Sequence, residues 1–224
     1  MGEGGASPTL IMKEAIMRRI IHMDSDIPSI FFPMGNPKSG GTCEFATKKC
    51  IEYCPSGQQI NKHERYSLNF FKMNDAQQIF EKLLVDYNTL TKISYNARML
   101  QWFVWGDCPS ALTNKVAEVI MLVNAKKIPQ YGFTRNKELW KTVPSKDELN
   151  IGLSVDDLEE AKTLSSESGK MTAHPDILSG YAEMIFAGKV VTRCNGWWCS
   201  VVETKEVRNS DCSKCLKEKT GCYS

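Results

Sequence analysis

The sequence predicts an α/β protein built on a parallel sheet and finished by a cysteine-rich tail, and three observations predict it. Short apolar segments alternate with longer amphipathic ones about six times along the chain, which is the pattern of βαβ units. The strongest apolar segment, Arg98–Trp105 (RMLQWFVW), is nearly continuous in hydrophobicity, as suits a parallel strand buried on both faces. Five of the nine cysteines fall between Cys194 and Cys222. Six βα units form either a doubly wound sheet or an incomplete α/β barrel. In both, the functional site lies beyond the C-terminal ends of the strands.

Taken in order, Leu10–Met23 carries Leu10, Ile11, Ala15, Ile16, Ile20 and Ile21 at helical spacing with charges between them, and predicts an amphipathic helix. Ile27–Phe32 predicts the first strand, which enters a Gly/Pro/Asn loop. Asn61–Met73 and Asp75–Leu90 predict helices, with Asp75 as N-cap of the second. The Arg98–Trp105 strand ends abruptly in Gly106-Asp107. A helix over Pro109–Ala125, a strand over Ile128–Thr134, a short helix over Asn136–Lys141 and a strand over Asn150–Ser154 follow. Ser154-Val155-Asp156-Asp157 resembles a capping box leading into a helix over Val155–Leu164. Lys170–Ala173 predicts a short strand, Pro175–Ala187 a helix closed by Gly188, and Lys189–Thr192 the last strand. The chain divides into an N-terminal extension and helix (1–24), an α/β body (25–193) with a cysteine loop at 33–54, and the tail (194–224).

Composition narrows the function classes. Hydrophobic residues make up 42% and charged residues 24%, as in an ordinary globule, so disorder is not the theme. The net charge of +2, from 28 Lys+Arg against 26 Asp+Glu, gives no global field for nucleic acid. Charges interrupt the apolar residues near the N-terminus, and no long uncharged apolar run occurs, so the sequence predicts a cytoplasmic protein with no membrane partner. In a reducing compartment, clustered cysteines read as metal ligands and not as a disulfide framework.

The central motif is FFPMGNPKSGGTCEFATKKCIEYC, in which Cys43, Cys50 and Cys54 are spaced C-x6-C-x3-C. Three thiolates are one short of a closed tetrahedral or [4Fe–4S] site, so one coordination position stays open, and open positions are where chemistry happens. Tyr53 stands where an aromatic ring packs over a cluster. A zinc reading recruits His63 as the fourth ligand. In the tail, Cys194, Cys199, Cys212, Cys215 and Cys222 carry enough thiolates for a second, closed site holding zinc or an auxiliary [4Fe–4S], with Cys199 the spare. Cys108 reads as a buried small hydrophobe. Gly106 permits close approach to the backbone and Asp107 can hold an ammonium group. Thr134, Arg135, Ser154 and His174 also stand at strand ends, and Arg135 and Lys38 are candidate clamps for an anion.

Three cysteines after the first strand, an aromatic before the third of them and a Gly-acid pair ending the second resemble the radical S-adenosylmethionine (SAM) enzymes. The resemblance implies a partial (βα)6 barrel in which Cys43, Cys50 and Cys54 hold a [4Fe–4S] whose open iron chelates SAM. Gly106 and Asp107 would contact SAM, and an electron donor such as a ferredoxin or flavodoxin would be a partner. The spacing departs from the usual C-x3-C-x2-C, and Trp-Gly-Asp stands where Gly-Gly-Glu is usual. GGTCEFATKKCIEYC, ARMLQWFVWGD, YGFTRN and the tail cysteines, in this order over roughly residues 30–222, are also similar to an uncharacterised phage and bacterial group, the gene-product-88 family. Two other readings stay open. One is a zinc-dependent nucleic-acid-binding module with Lys38, Lys48, Lys49, Lys62 and Arg65 on phosphates. The other is a two-cluster electron-transfer protein without SAM.

Overall fold

The computed structural model describes residues 19–24, 27–52, 62–92, 99–145, 149–176 and 181–194. Eight strands form one sheet in sequence order. They are β1 (His22–Asp24), β2 (Ile27–Ile30), β3 (Leu100–Trp102), β4 (Gln130–Thr134), β5 (Leu149–Ser154), β6 (Thr172–Asp176), β7 (Tyr181–Phe186) and β8 (Lys189–Cys194). The described helices are α1 (Lys48–Glu52), α2 (Lys62–Met73), α3 (Ala76–Thr91), α4 (Thr113–Ala125), α5 (Lys137–Thr142) and α6 (Leu158–Ser168). Strands β2 to β6 run parallel, each beside the next. β1 lies antiparallel on β2, and β6, β7 and β8 are antiparallel at the other edge.

Parallel neighbours cannot be joined by a tight turn, so each step from β2 to β6 goes through a helical crossover. A doubly wound sheet reverses its strand order at a switch point; this order has no reversal. Right-handed crossovers repeated in one direction lay their helices on one face of the sheet, and α3 packs on α4 and α4 on α5. β4 marks the covered face, with Gln130, Gly132 and Thr134 buried while Tyr131 and Phe133 between them are half-buried. The covered face joins Ile30, Leu100, Trp102 and Ile151 to Ile79 and Leu83 of α3 and Val116, Ile120 and Val123 of α4. A deep polar pair on it is satisfied: Trp102 Nε1 donates to Gln130 Oε1 (2.9 Å), whose Nε2 donates to the Ile120 carbonyl (3.0 Å). Two lysines lock helix ends into this layer. Lys115 Nζ donates to the carbonyls of Phe71 and Asn74 at the end of α2 (2.9 and 2.7 Å), and Lys170 Nζ to those of Trp140, Lys141 and Val143 at the end of α5 (2.7–2.8 Å), where cations suit the orphan carbonyls.

Several expectations are corrected. Pro175–Ala187 is not a helix: Thr172–Asp176 and Tyr181–Phe186 are antiparallel strands, and Tyr181–Phe186 pairs on its other side with Lys189–Cys194. Ala187 and Gly188 both have positive φ (49° and 76°), as a two-residue hairpin turn requires, so Gly188 turns a hairpin and caps no helix. The last third of the sheet is therefore a meander, and the βα alternation stops at β6. The helix expected over Leu10–Met23 gives way at its end to an extended segment and β1, because the Ile20 backbone is used elsewhere; its N–H donates to Asp86 Oδ2 (2.8 Å) and its carbonyl accepts from Ser67 Oγ (3.3 Å). Residues 10–18 lie outside the described residues. β1, in what the sequence reads as the N-terminal extension, is paired into the sheet. Only Leu100–Trp102 of the aromatic segment joins the ladder, because Phe103 (φ 56°) breaks it. Gln101 on this strand is half-buried, so both faces are not equally covered. Asp75 caps α3 with a capping box, as expected, whereas Asp157, not Ser154, caps α6. Among the described residues, no helix is long and apolar enough to cross a membrane.

The hairpin assignment has a direct test. Ala187 sits in the left-handed region, where a side chain costs about 1–2 kcal/mol that glycine avoids. Ala187→Gly should therefore raise stability by about 0.5–1 kcal/mol in urea unfolding. A helical segment would instead lose about 1 kcal/mol on the same change, so a drop in stability would overturn the hairpin.

Candidate metal centre

The loop after β2 is built by its own backbone. Asn36 opens a 3-10 turn over Pro37–Ser39, accepting from Lys38 N–H (2.8 Å), and Gly40 closes it at φ 87°. The chain then folds back on itself. Thr42 N–H donates to the Pro33 carbonyl (2.7 Å) and Cys43 N–H to that of Gly35 (3.0 Å). At Gly41 a Cβ would lie 2.1 Å from the Gly35 carbonyl oxygen, so glycine is required for the fold-back. Thr47 then accepts from Cys50 N–H (3.1 Å) at the start of α1. Cys43 and Cys50 are half-buried on the two sides of this turn.

The loop is fastened to the ends of the next three parallel strands. Thr42 is 2% exposed; its hydroxyl donates to the Pro33 carbonyl (2.8 Å) and accepts from Asp107 N–H (3.1 Å) just beyond β3. Glu44 accepts from Ser110 N–H and Oγ (both 2.8 Å) ahead of α4. The Asp107 carboxylate accepts from the Thr134 hydroxyl, from Arg135 N–H (2.9 Å) and from Cys108 N–H (2.7 Å), tying β3 to the end of β4. Arg135 reaches on to Asp156 beyond β5 (2.6 Å), and Thr47 of the cysteine loop helps to lower the Asp156 carboxylate. Asn136 fills the middle. Its N–H donates to Thr134 Oγ1, its Nδ2 to the Cys108 carbonyl and to Thr113 Oγ1, and its Oδ1 caps α5.

The carboxylates differ by surroundings. Burial raises Asp107 to about 6 against the lowering effect of its three donors, because no full counter-charge touches it. Burial also pushes Asp156 up, but the hydrogen bonds of Arg135 and Thr47 and the charges of Arg135 and Lys49 outweigh it and hold this group below its ordinary value. Cys108 is fully buried, and burial together with the charges of Asp107 and Glu44 drives its thiol far above the ordinary range, so it stays an inert neutral packing group. Cys43 and Cys50 have no such enclosure.

Thus the cysteine loop, Gly106-Asp107 and Thr134-Arg135 meet beyond the C-terminal ends of β2, β3 and β4. Their roles differ from the sequence reading in two respects. The close approach at Gly106 (φ 69°) is made by the chain itself, since a Cβ there would lie 2.4 Å from the Phe32 carbonyl oxygen. The Asp107 carboxylate faces inward, 6% exposed, with both oxygens engaged. Arg135 is paired to Asp156. Ser154 is 6% exposed at the end of β5 and its Oγ has no partner. His174 sets Nδ1 3.3 Å from the Val155 carbonyl. Lys38, Lys48, Lys49 and Arg65 are exposed. Cys194 is placed by its backbone in β8, opposite Ala182, at the far edge of the sheet order. Tyr53, Cys54, Cys199, Cys212, Cys215 and Cys222 lie outside the described residues. Among the described residues no three His, Cys, Asp or Glu side chains group to hold a metal. Sequence reasoning passed over Thr42, Glu44, Thr47, Asn136 and Asp156. Thr42 and Thr47 bracket Cys43, and Asp156 stood inside the supposed capping box. No family model, curated protein or solved structure matches the chain.

The Asp107 linkage predicts a pH signature. Its folded value of about 6 lies above the ordinary 3.8, so on acidification the folded chain takes up this proton before the unfolded chain does. Asp107 therefore adds stability as pH falls from about 7 to about 4, by up to about 3 kcal/mol. Asp107→Asn removes that slope and turns an amide N–H toward existing donors, costing about 1–3 kcal/mol at pH 7. Urea midpoints of the two proteins should separate further at pH 4 than at pH 7; a gap that does not change with pH would show a solvated carboxylate.

Proposed function

We propose that the chain is a radical SAM-type iron–sulfur enzyme on a partial α/β barrel, with Cys43, Cys50 and Cys54 as ligands of an open [4Fe–4S]. The observation that carries this reading is the fastening of a cysteine loop, directly after the first parallel strand, to the ends of β3, β4 and β5 through Thr42, Asp107, Arg135 and Asp156. Sequential parallel strands with helices gathered on one face support the barrel, since such a sheet leaves its other face to curl inward.

The donor chemistry fits the group. Cys43 and Cys50 are half-buried thiols on a turn whose backbone is held by its own hydrogen bonds, in contrast to sealed Cys108. When bound, the cluster would supply the electron that cleaves SAM reductively and so starts hydrogen abstraction from a substrate. The protein's part is positional. Thr42 holds the loop against the end of β3, Thr47 holds the backbone at Cys50, Asp107 ties the β3 and β4 ends together, and the Arg135–Asp156 pair links them to the end of β5. Ser154, with its buried hydroxyl unpartnered, is the polar group left available to a ligand at the end of β5. The tail cysteines would hold a second cluster or a zinc.

The test is anaerobic purification and reconstitution, with iron and sulfide counted per chain and EPR recorded on the reduced protein with and without SAM. The reading expects about four or eight irons and a SAM-dependent change in signal. Cys43→Ala and Cys50→Ala should abolish that signal while Cys108→Ala keeps it. Iron that ignores SAM would leave an electron-transfer protein, and zinc without sulfide would send the reading to the nucleic-acid module.

A further inference from the structure

Two of the chain's three histidines face each other away from the cysteine loop. His22 is on the edge strand β1 and His63 in the first turn of α2, with ring centroids 4.7 Å apart at 57°. His22 Nε2 and His63 Nδ1 are both buried, and neither has a hydrogen-bond partner. Buried polar atoms are nearly always satisfied, so two orphans on adjacent rings call for an explanation.

The surroundings of His22 supply it. Burial and the facing His63 hold His22 neutral, down to about 4, and neutral imidazole is the ligating form. The buried Asp86 carboxylate, which accepts from Ile20 N–H (2.8 Å) and Lys82 Nζ (2.6 Å), contributes negative potential at His22.

We propose that His22 Nε2 and His63 Nδ1 form a two-histidine site for a divalent first-row transition-metal ion of the zinc, nickel and copper class. Imidazole suits these ions, whereas magnesium and calcium prefer oxygen. With metal–nitrogen bonds of about 2.0–2.1 Å and a near-tetrahedral angle, two imidazole rings on one ion have centroids about 5 Å apart, close to the separation seen. Among the described residues no third His, Cys, Asp or Glu completes the group, so the remaining positions fall to water or an exogenous anion. The site does not depend on the cluster reading.

Because the cysteines also take zinc, the test needs a readout specific to histidine. Full-length protein labelled with ¹⁵N-histidine is titrated with Zn²⁺ up to ten equivalents, and the ring nitrogens are followed by long-range ¹H–¹⁵N NMR. The proposal expects His22 Nε2 and His63 Nδ1 to shift together to metal-bound positions while His174 stays put. In His63→Gln, the His22 shift should need at least tenfold more zinc. His22 and His63 nitrogens that do not move by ten equivalents would overturn the site. If His63→Gln does not fold, the wild-type titration decides by itself.

Discussion

The geometry at the strand ends depends on one buried carboxylate. Asp107 lies just past β3 with no charged partner in contact, and it is tolerable there only because three donors converge on it. Two of those donors are backbone N–H groups and the third is the Thr134 hydroxyl, so the carboxylate reads the position of the main chain and not merely of flexible side chains. Its own N–H is held by Thr42. One residue thereby sets the distance between the cysteine loop, β3 and β4. A glutamate would place the carboxylate one bond further out, beyond the donors that now surround it.

Close packing enforces the same arrangement. Gly106 and Gly41 stand where a side chain would collide with the Phe32 and Gly35 carbonyl oxygens. The loop that carries Cys43 and Cys50 thus folds closely on its own backbone at Gly41, and Gly106 lets the chain beyond β3 pass close to Phe32 and Thr42. Cys43 and Cys50 are half-buried in that loop. Cys108 has the opposite surroundings, because a thiol that is fully buried beside Asp107 and Glu44 stays protonated and inert.

Much of the layout was legible. The spacing of apolar residues identified α2 to α5 and strands β2 to β5, because burial on one face imposes a period that survives in the sequence. The α/β rule then put Gly106-Asp107, Thr134-Arg135 and Ser154 at strand ends, where they lie. It failed at Tyr181–Phe186, where Gly188 follows a short apolar run. A glycine with positive φ terminates a helix and turns a hairpin equally well, and only the partners of the segment decide between them. The inward turn of Asp107 was equally hidden, since a carboxylate after a strand looks the same whether it meets a ligand or Thr134.

The sequence by itself determined the α/β character of the body, the helix cap at Asp75 and the clustering of thiols in one loop, because these depend on neighbours within a few residues. Tertiary structure alone decided that the sheet order never reverses and that the chain ends its described part in a meander. It alone joined Thr42, Asp107, Thr134, Arg135 and Asp156 into one chain of contacts and set His22 against His63. Those pairings join residues tens of positions apart, and their strength comes from excluding water around groups whose partners no local pattern specifies.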